Sequence, residues 1–128
     1  MAEGIAAARS ALEETEGRPG PAHAARVAIW HWHLATGRVE WDARLGALFG
    51  YAERVTDAAW REDRMHPDDR DRVKVSLQKA TIVNHGALWS DQYRFRHADG
   101  RYVAVTARAY VVGEEEGPCG VVGGMTPA

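Results

Sequence analysis

The chain has 128 residues, enough for one hydrophobic core of ordinary size. A formal net charge of −2 and a pI near 6.3 leave no basic field to draw nucleic acid or anionic lipid, and 45% hydrophobic with 27% charged residues is the balance of a soluble globular domain. Apolar runs such as VAIW and LGALF are far too short to span a bilayer, no signal-peptide pattern opens the chain, and the single cysteine, Cys119, has no partner for an intramolecular disulfide, so a reducing, cytoplasmic setting without membrane contact is expected.

Residues 2–14 are rich in Ala, Leu and Glu and predict a short helix, with Ile5, Ala8 and Leu12 at i, i+3 and i+7. A helix this short is marginal alone, so its stripe must dock on the domain or on a second copy, unless the terminus frays. TEGRPGPAH (15–23) reads as a linker, which divides the chain into a helix-plus-linker segment, 1–23, and a domain, 24–128.

Residues 26–41 alternate: Ala28, Trp30, Trp32 and Leu34 share one face, Ile29, His31 and His33 the other. The turn ATGR then makes the segment a hairpin. DARLGALFGY (42–51) predicts a helix with Asp42 as N-cap, Leu45 and Leu48 or Phe49 on its apolar face, and Gly50 at the C-cap. Residues 52–65 read as short helical turns capped by Thr56 or Asp57, with Trp60 and Met65 as apolar anchors.

The quartet His66-Pro67-Asp68-Asp69 has the residue types of a metal or catalytic cluster, but it also has those of a helix start. Proline suits the first helical position, and aspartates suit the positive end of the dipole. Val73, Leu77 and Ala80 continue the stripe to about Val83, where Asn84 and Gly86 permit left-handed dihedrals. Three strands follow, at 88–97, 102–112 and 119–125, joined by the Asp99-Gly100 hairpin and by GEEEGP, the last strand weakened by glycines. The sum is an α+β domain with a five-stranded antiparallel sheet, short helices and one longer helix.

The pieces WHWHLATGRVEW, LGALFGY, MHPDDRDRV, YRFRHADGRYVAV and GVVGGMT stand in the order and spacing of a PAS domain with a C-terminal PAC motif, and over about residues 27–126 the chain resembles that family. The resemblance implies one sheet holding all five strands, with helices over one face. It also implies a sensory role in bacterial-type signal transduction, for example within a two-component system. The expected partners are a homodimer mate and an effector such as a histidine kinase or a cyclic-dinucleotide enzyme. Two positions depart from the pattern: Ala104 stands where the family usually has Trp, and Gly124-Met125-Thr126 stands where it commonly has the Asp-Ile-Thr that joins sensor to effector. With the sequence ending at Ala128, an excised sensor module and a stand-alone one are both open.

No Gly-x-Ser-x-Gly, Walker or Rossmann motif occurs, and acids beside arginines, as in REDR and DDRDR, read as solvated helical faces, so no catalytic residue is expected. The enzymatic rival is a small α+β isomerase with one acid in a cone-shaped pocket. His31 and His33 point the same way on a strand, and His97 could approach from another, at zinc–nitrogen distances of about 2.0–2.1 Å. No Cys or carboxylate completes that set at a recognisable spacing, so no metal is expected.

The resemblance also frames the cofactors. Haem-binding members carry an axial histidine on the long helix, where 67–83 has none, and flavin photosensors carry an Asn-Cys-Arg motif ahead of it, where no cysteine lies. Cys119 reads as an inert small residue. No cofactor is expected, which leaves a small-molecule ligand in a pocket lined by Trp32, Leu48, Trp60, Met65, Leu77, Tyr93, Phe95 and Val105, with Arg94 or His97 as polar contacts. The same residues would also serve as plain core. Signalling would run through rearrangement of a dimer whose interface is Ile5, Ala8 and Leu12. The alternative is a ligand-free PAS scaffold that only associates.

Overall fold

The structure is a computed structural model that describes residues 2–13, 25–83, 88–114 and 117–128. Helix α1 (Ala2–Leu12) is followed by the hairpin β1 (Ala28–His33) and β2 (Arg38–Trp41), then α2 (Arg44–Phe49), β3 (Val55–Asp57), α3 (Ala58–Asp63) and α4 (Pro67–Val83). Strands β4 (Leu88–Arg96), β5 (Tyr102–Glu114) and β6 (Gly117–Pro127) complete one sheet, in the order β3-β2-β1-β6-β5-β4. Every pairing is antiparallel.

The sheet has six strands where the sequence predicts five. The extra one, β3, pairs Val39 with Thr56 at the edge of β2, and the Trp41 indole N–H donates to Thr56 Oγ1 at 2.9 Å. Three residues with Val55 largely exposed carry no alternation that could betray a strand. The expected weak last strand is instead a long central one, because its glycines make room for their neighbours. A Cβ on Gly123 would stand 2.2 Å from Trp30 Cζ2, so only glycine lets the indole lie against β6.

Alternation along β1 sorts two cores onto the two faces of the sheet. On the first, Trp30, Val39, Phe49, Met65, Val73, Leu77, Tyr93, Phe95 and Val105 pack under α2, α3 and α4. On the second, Val27, Ile29, Val112 and Val122 are covered by Ala8 and Leu12 of α1. The helical stripe of α1 is therefore turned onto the chain's own sheet. Ala8 and Leu12 are buried there and Ile5 packs beside them.

Helix starts obey the expected chemistry with one shift. Asp57, not Thr56, caps α3, accepting from the Trp60 N–H at 2.8 Å. Helix α2 begins one residue later than an Asp42 cap requires, with Ala43 in the cap position. The Asp42 carboxylate still accepts from the Arg44 backbone N–H at 3.0 Å, the bond a capping aspartate makes, and also binds the Arg44 guanidinium at 2.6 Å. Gly50 closes α2 at φ 82°. Pro67 opens α4 with Asp68 and Asp69 in the first turn. The expected stops at Asn84 and Gly86 and the linker at 15–23 lie outside the described residues.

Candidate functional site

Two short links hold α3 and α4 against the sheet. Met65 bridges to Phe95 of β4, with the His66 N–H donating to Arg94 O and the Arg96 N–H to Arg64 O. Arg70 then donates to the carbonyls of Glu62, Asp63 and Met65, which answers the free carbonyls at the end of α3. This staple fixes the side chains of α3 over β1. Trp60 packs edge-on to Tyr51 at 4.9 Å and to Trp41 at 5.9 Å. Arg61, the next residue, points inward.

Arg61 is 2% exposed. Its guanidinium carbon lies 4.5 Å from the centre of the Trp30 ring and 5.3 Å from that of Trp32. Its Nε, the indole N–H of Trp30 and the indole N–H of Trp32 are all buried and lack a hydrogen-bond partner among the described residues. Every one of these groups is a donor.

Arg61 and Trp32 help to line a cavity of about 80 Å³, together with Met65, Val73, Leu77 and the rim residues Glu62, Lys74 and Gln78. That is room for a few non-hydrogen atoms. No carboxylate among the described residues pairs with Arg61. Glu62 is engaged at the rim by Lys74 at 3.6 Å, and burial pushes the Tyr93 phenol up to about 12, so it faces Arg61 as a neutral hydroxyl. Burial also lowers the Arg61 pKa from its ordinary value. Cation–π contact with a desolvated guanidinium returns about 2 kcal/mol, while taking an ion out of water costs several. The aromatic rings alone do not offset that cost, so the cavity presents a positive charge and unmet donors.

Of the eight residues expected to line a pocket, Trp32, Met65 and Leu77 line this cavity. Tyr93 and Val105, both buried, border a separate shallow depression. Leu48, Trp60 and Phe95 pack in the core, Phe95 meeting Phe49 edge-on at 5.4 Å. The polar contacts expected from Arg94 or His97 are not at this cavity. Arg94 is clamped outside by Asp69, whose two oxygens accept from its backbone N–H at 3.0 Å and from its guanidinium at 2.9 Å. His97 sits in the β4–β5 turn beside Gly50. Sequence reasoning missed Arg61 because REDR looks like a solvated face.

Ala104 contributes to a second, shallow depression of about 270 Å³ with Asp69, Gln92, Tyr93, Arg94, Val105 and Ala128. It is open to solvent and its charged pair is already satisfied. Cys119 is half-buried, its thiol 3.7 Å from the Val112 carbonyl. His31 and His33 are brought together with ring centres 4.0 Å apart, and His97 is not part of that group.

A single antiparallel sheet with three helices over one face, and a small cavity between them lined in part by Arg61 and Trp32, defines a small α+β module. The family model described as "PAS fold" matches residues 38–125, and the chain belongs to the PAS family. Among solved structures, the N-terminal domain of a diguanylate cyclase with PAS/PAC sensor from Marinobacter aquaeolei is 25% identical, with a TM-score of 0.69 over 79% of this chain and 94% of that one. A sensory box histidine kinase/response regulator from Burkholderia thailandensis E264 is 22% identical, with a TM-score of 0.68 over 81% of this chain and 78% of that one. The PAS domain of a protein from Colwellia psychrerythraea is 20% identical, with a TM-score of 0.65 over 80% and 86%. No curated protein matches. Among the described residues no helix is long and apolar enough to cross a membrane.

Proposed function

We propose that this chain is the sensory module of a signalling protein and that its cavity receives a small anionic or acceptor-rich ligand. The observation that carries this reading is Arg61, a buried cation without a counter-ion among the described residues, at a cavity with unmet donors beside it. A carboxylate-sized anion would neutralise the charge and accept from Arg61 and Trp32 at once. Residues 24–128 form the sensory domain and 1–23 its helix and linker, working in the cytoplasm and without catalysis of its own. The effector is a separate unit of the kind named for the similar structures, a histidine kinase or a cyclic-dinucleotide enzyme.

Output passes through a homodimer. Ligand binding repacks α3 against β1, and the sheet relays the change to its other face, where Ile5, Ala8 and Leu12 of α1 lie. In the dimer that stripe exchanges between its own sheet and the partner's, so its affinity for the sheet sets the balance of two arrangements. Deleting residues 1–20 tests this step: an unchanged association constant rejects it.

Native mass spectrometry of freshly purified protein tests the ligand. Extra mass that leaves on denaturation, and that an Arg61→Met variant does not retain, supports the reading. Mass retained equally by the variant places the ligand elsewhere. A bare dimer that stays bare in 10-fold excess acetate or propionate supports the scaffold alternative instead.

A further inference from the structure

We infer that the outer face of the β1–β2 hairpin is a divalent-metal site formed by His31, His33 and Glu40. This is independent of the cavity, which lies on the opposite face of the sheet. His31 and His33 are two apart on β1 and so project from the same side. The register sets Glu40 of β2 directly across from His31. The carboxylate absent from any local sequence spacing is thus supplied across the hairpin turn.

Ligand atoms of the three side chains all lie within 4.8 Å of one another, and His33 Nε2 is 2.5 Å from Glu40 Oε1. Zinc takes imidazole nitrogen at about 2.0–2.1 Å and carboxylate oxygen at about 2.0–2.2 Å, so a small rotation of each side chain places all three around one ion. Two imidazoles and a carboxylate are a donor set that first-row divalent ions accept, with water filling the remaining positions. The side chains of His33 and Glu40 are 30% and 47% exposed, so an ion and its waters have a way in.

The backbone beneath is rigid, because β1 is paired on both sides, with β2 and with β6. Gly120 of β6 leaves the space that His31 fills: a Cβ there would come within 3.0 Å of Nε2. A simple ion pair accounts for His33 and Glu40 but not for a second imidazole held 4.0 Å from the first, where two protonated rings would repel. One metal ion uses both. Arg38 approaches Glu40 at 3.9 Å and Arg9 of α1 acts on His31 from nearby, so two cations oppose the ion and lower its affinity.

The test is calorimetric titration of the untagged, chelator-treated full chain with zinc chloride. We expect one ion per chain, with His31→Ala and His33→Ala each weakening binding at least tenfold, Glu40→Gln weakening it less, and His97→Ala leaving it unchanged. Circular dichroism confirms that each variant is folded. Cobalt(II) replaces zinc as a second readout, since its visible absorption reports imidazole ligation independently of heat. Absence of saturable binding in the wild-type chain overturns the inference, as does zinc binding that survives loss of both His31 and His33.

Discussion

The guanidinium of Arg61 lies 4.5 Å from the centre of the Trp30 ring, and the same ring rests against Gly123 of β6. A cation on a short helix is therefore coupled through one indole to the central strand of the sheet. The other face of β6 is where α1 packs, so the proposed relay from cavity to α1 would run through this indole.

The Gly123 contact predicts intolerance of a single methyl group. A Cβ would stand 2.2 Å from Trp30 Cζ2, so the ring or the strand must shift. Gly123→Ala is expected to cost about 1–3 kcal/mol, the usual range for an overpacked core. Urea denaturation measures it, and a loss below about 0.5 kcal/mol would mean that the ring relocates freely.

Arg61 predicts the opposite sign. An unpaired buried charge is a liability to folding, and an apolar side chain of similar length removes it. Arg61→Met is expected to raise stability by about 1 kcal/mol while abolishing anion binding. A loss of 2 kcal/mol or more on thermal denaturation would make Arg61 a structural residue whose ring contacts outweigh its desolvation.

The Asp69–Arg94 clamp predicts acid sensitivity. Hydrogen bonds from the Arg94 side chain and, less strongly, from its backbone hold the Asp69 carboxyl at about 2, below its unfolded range near 3.9. The folded state thus favours the ionised form. The clamp's contribution is complete above about pH 4 and is lost as pH falls toward 2. Asp69→Asn should flatten the stability profile between pH 4 and 2 relative to wild type. Parallel profiles for the two proteins would show that the clamp contributes nothing to folding.

Helix α1 predicts a separable unit. Ala8 is 6% exposed against β5 and β6, and the tie from Glu13 Oε2 to the Arg44 guanidinium, 3.0 Å, is partly open to water. Ala8→Glu would bury a charge and release the helix. Hydrogen exchange should then show α1 unprotected while β4 and β5 keep their protection. Equal loss of protection across the sheet would instead make α1 part of the cooperative core.

Most of the fold is legible because it rests on local pattern. Alternation in β1, β4 and β5, the Pro67 helix start and Gly50 each act within a few residues. What escapes the sequence depends on register. Glu40 joins His31 only because β1 and β2 pair as they do, and β3 is too short and too exposed to show a period. Trp32, Met65 and Leu77 were legible as inward-facing apolar residues, but hydrophobicity alone does not separate cavity lining from plain core. Arg61 was not, because nothing in REDR distinguishes a buried arginine from its solvated neighbours; the difference lies in which face of α3 meets Trp30.

The most direct measurement is a titration of isotope-labelled protein with sodium acetate against sodium chloride at equal ionic strength, followed on the indole and guanidinium N–H resonances. The Trp41 and Trp89 indoles already donate to Thr56 and Ser76 at 2.9 and 2.8 Å and should stay still, while the Arg61 Nε–H and Trp32 indole N–H, which lack partners among the described residues, should move saturably. Immobility of Arg61 and Trp32 across the titration, or equal movement of all four, would contradict an anion site at Arg61.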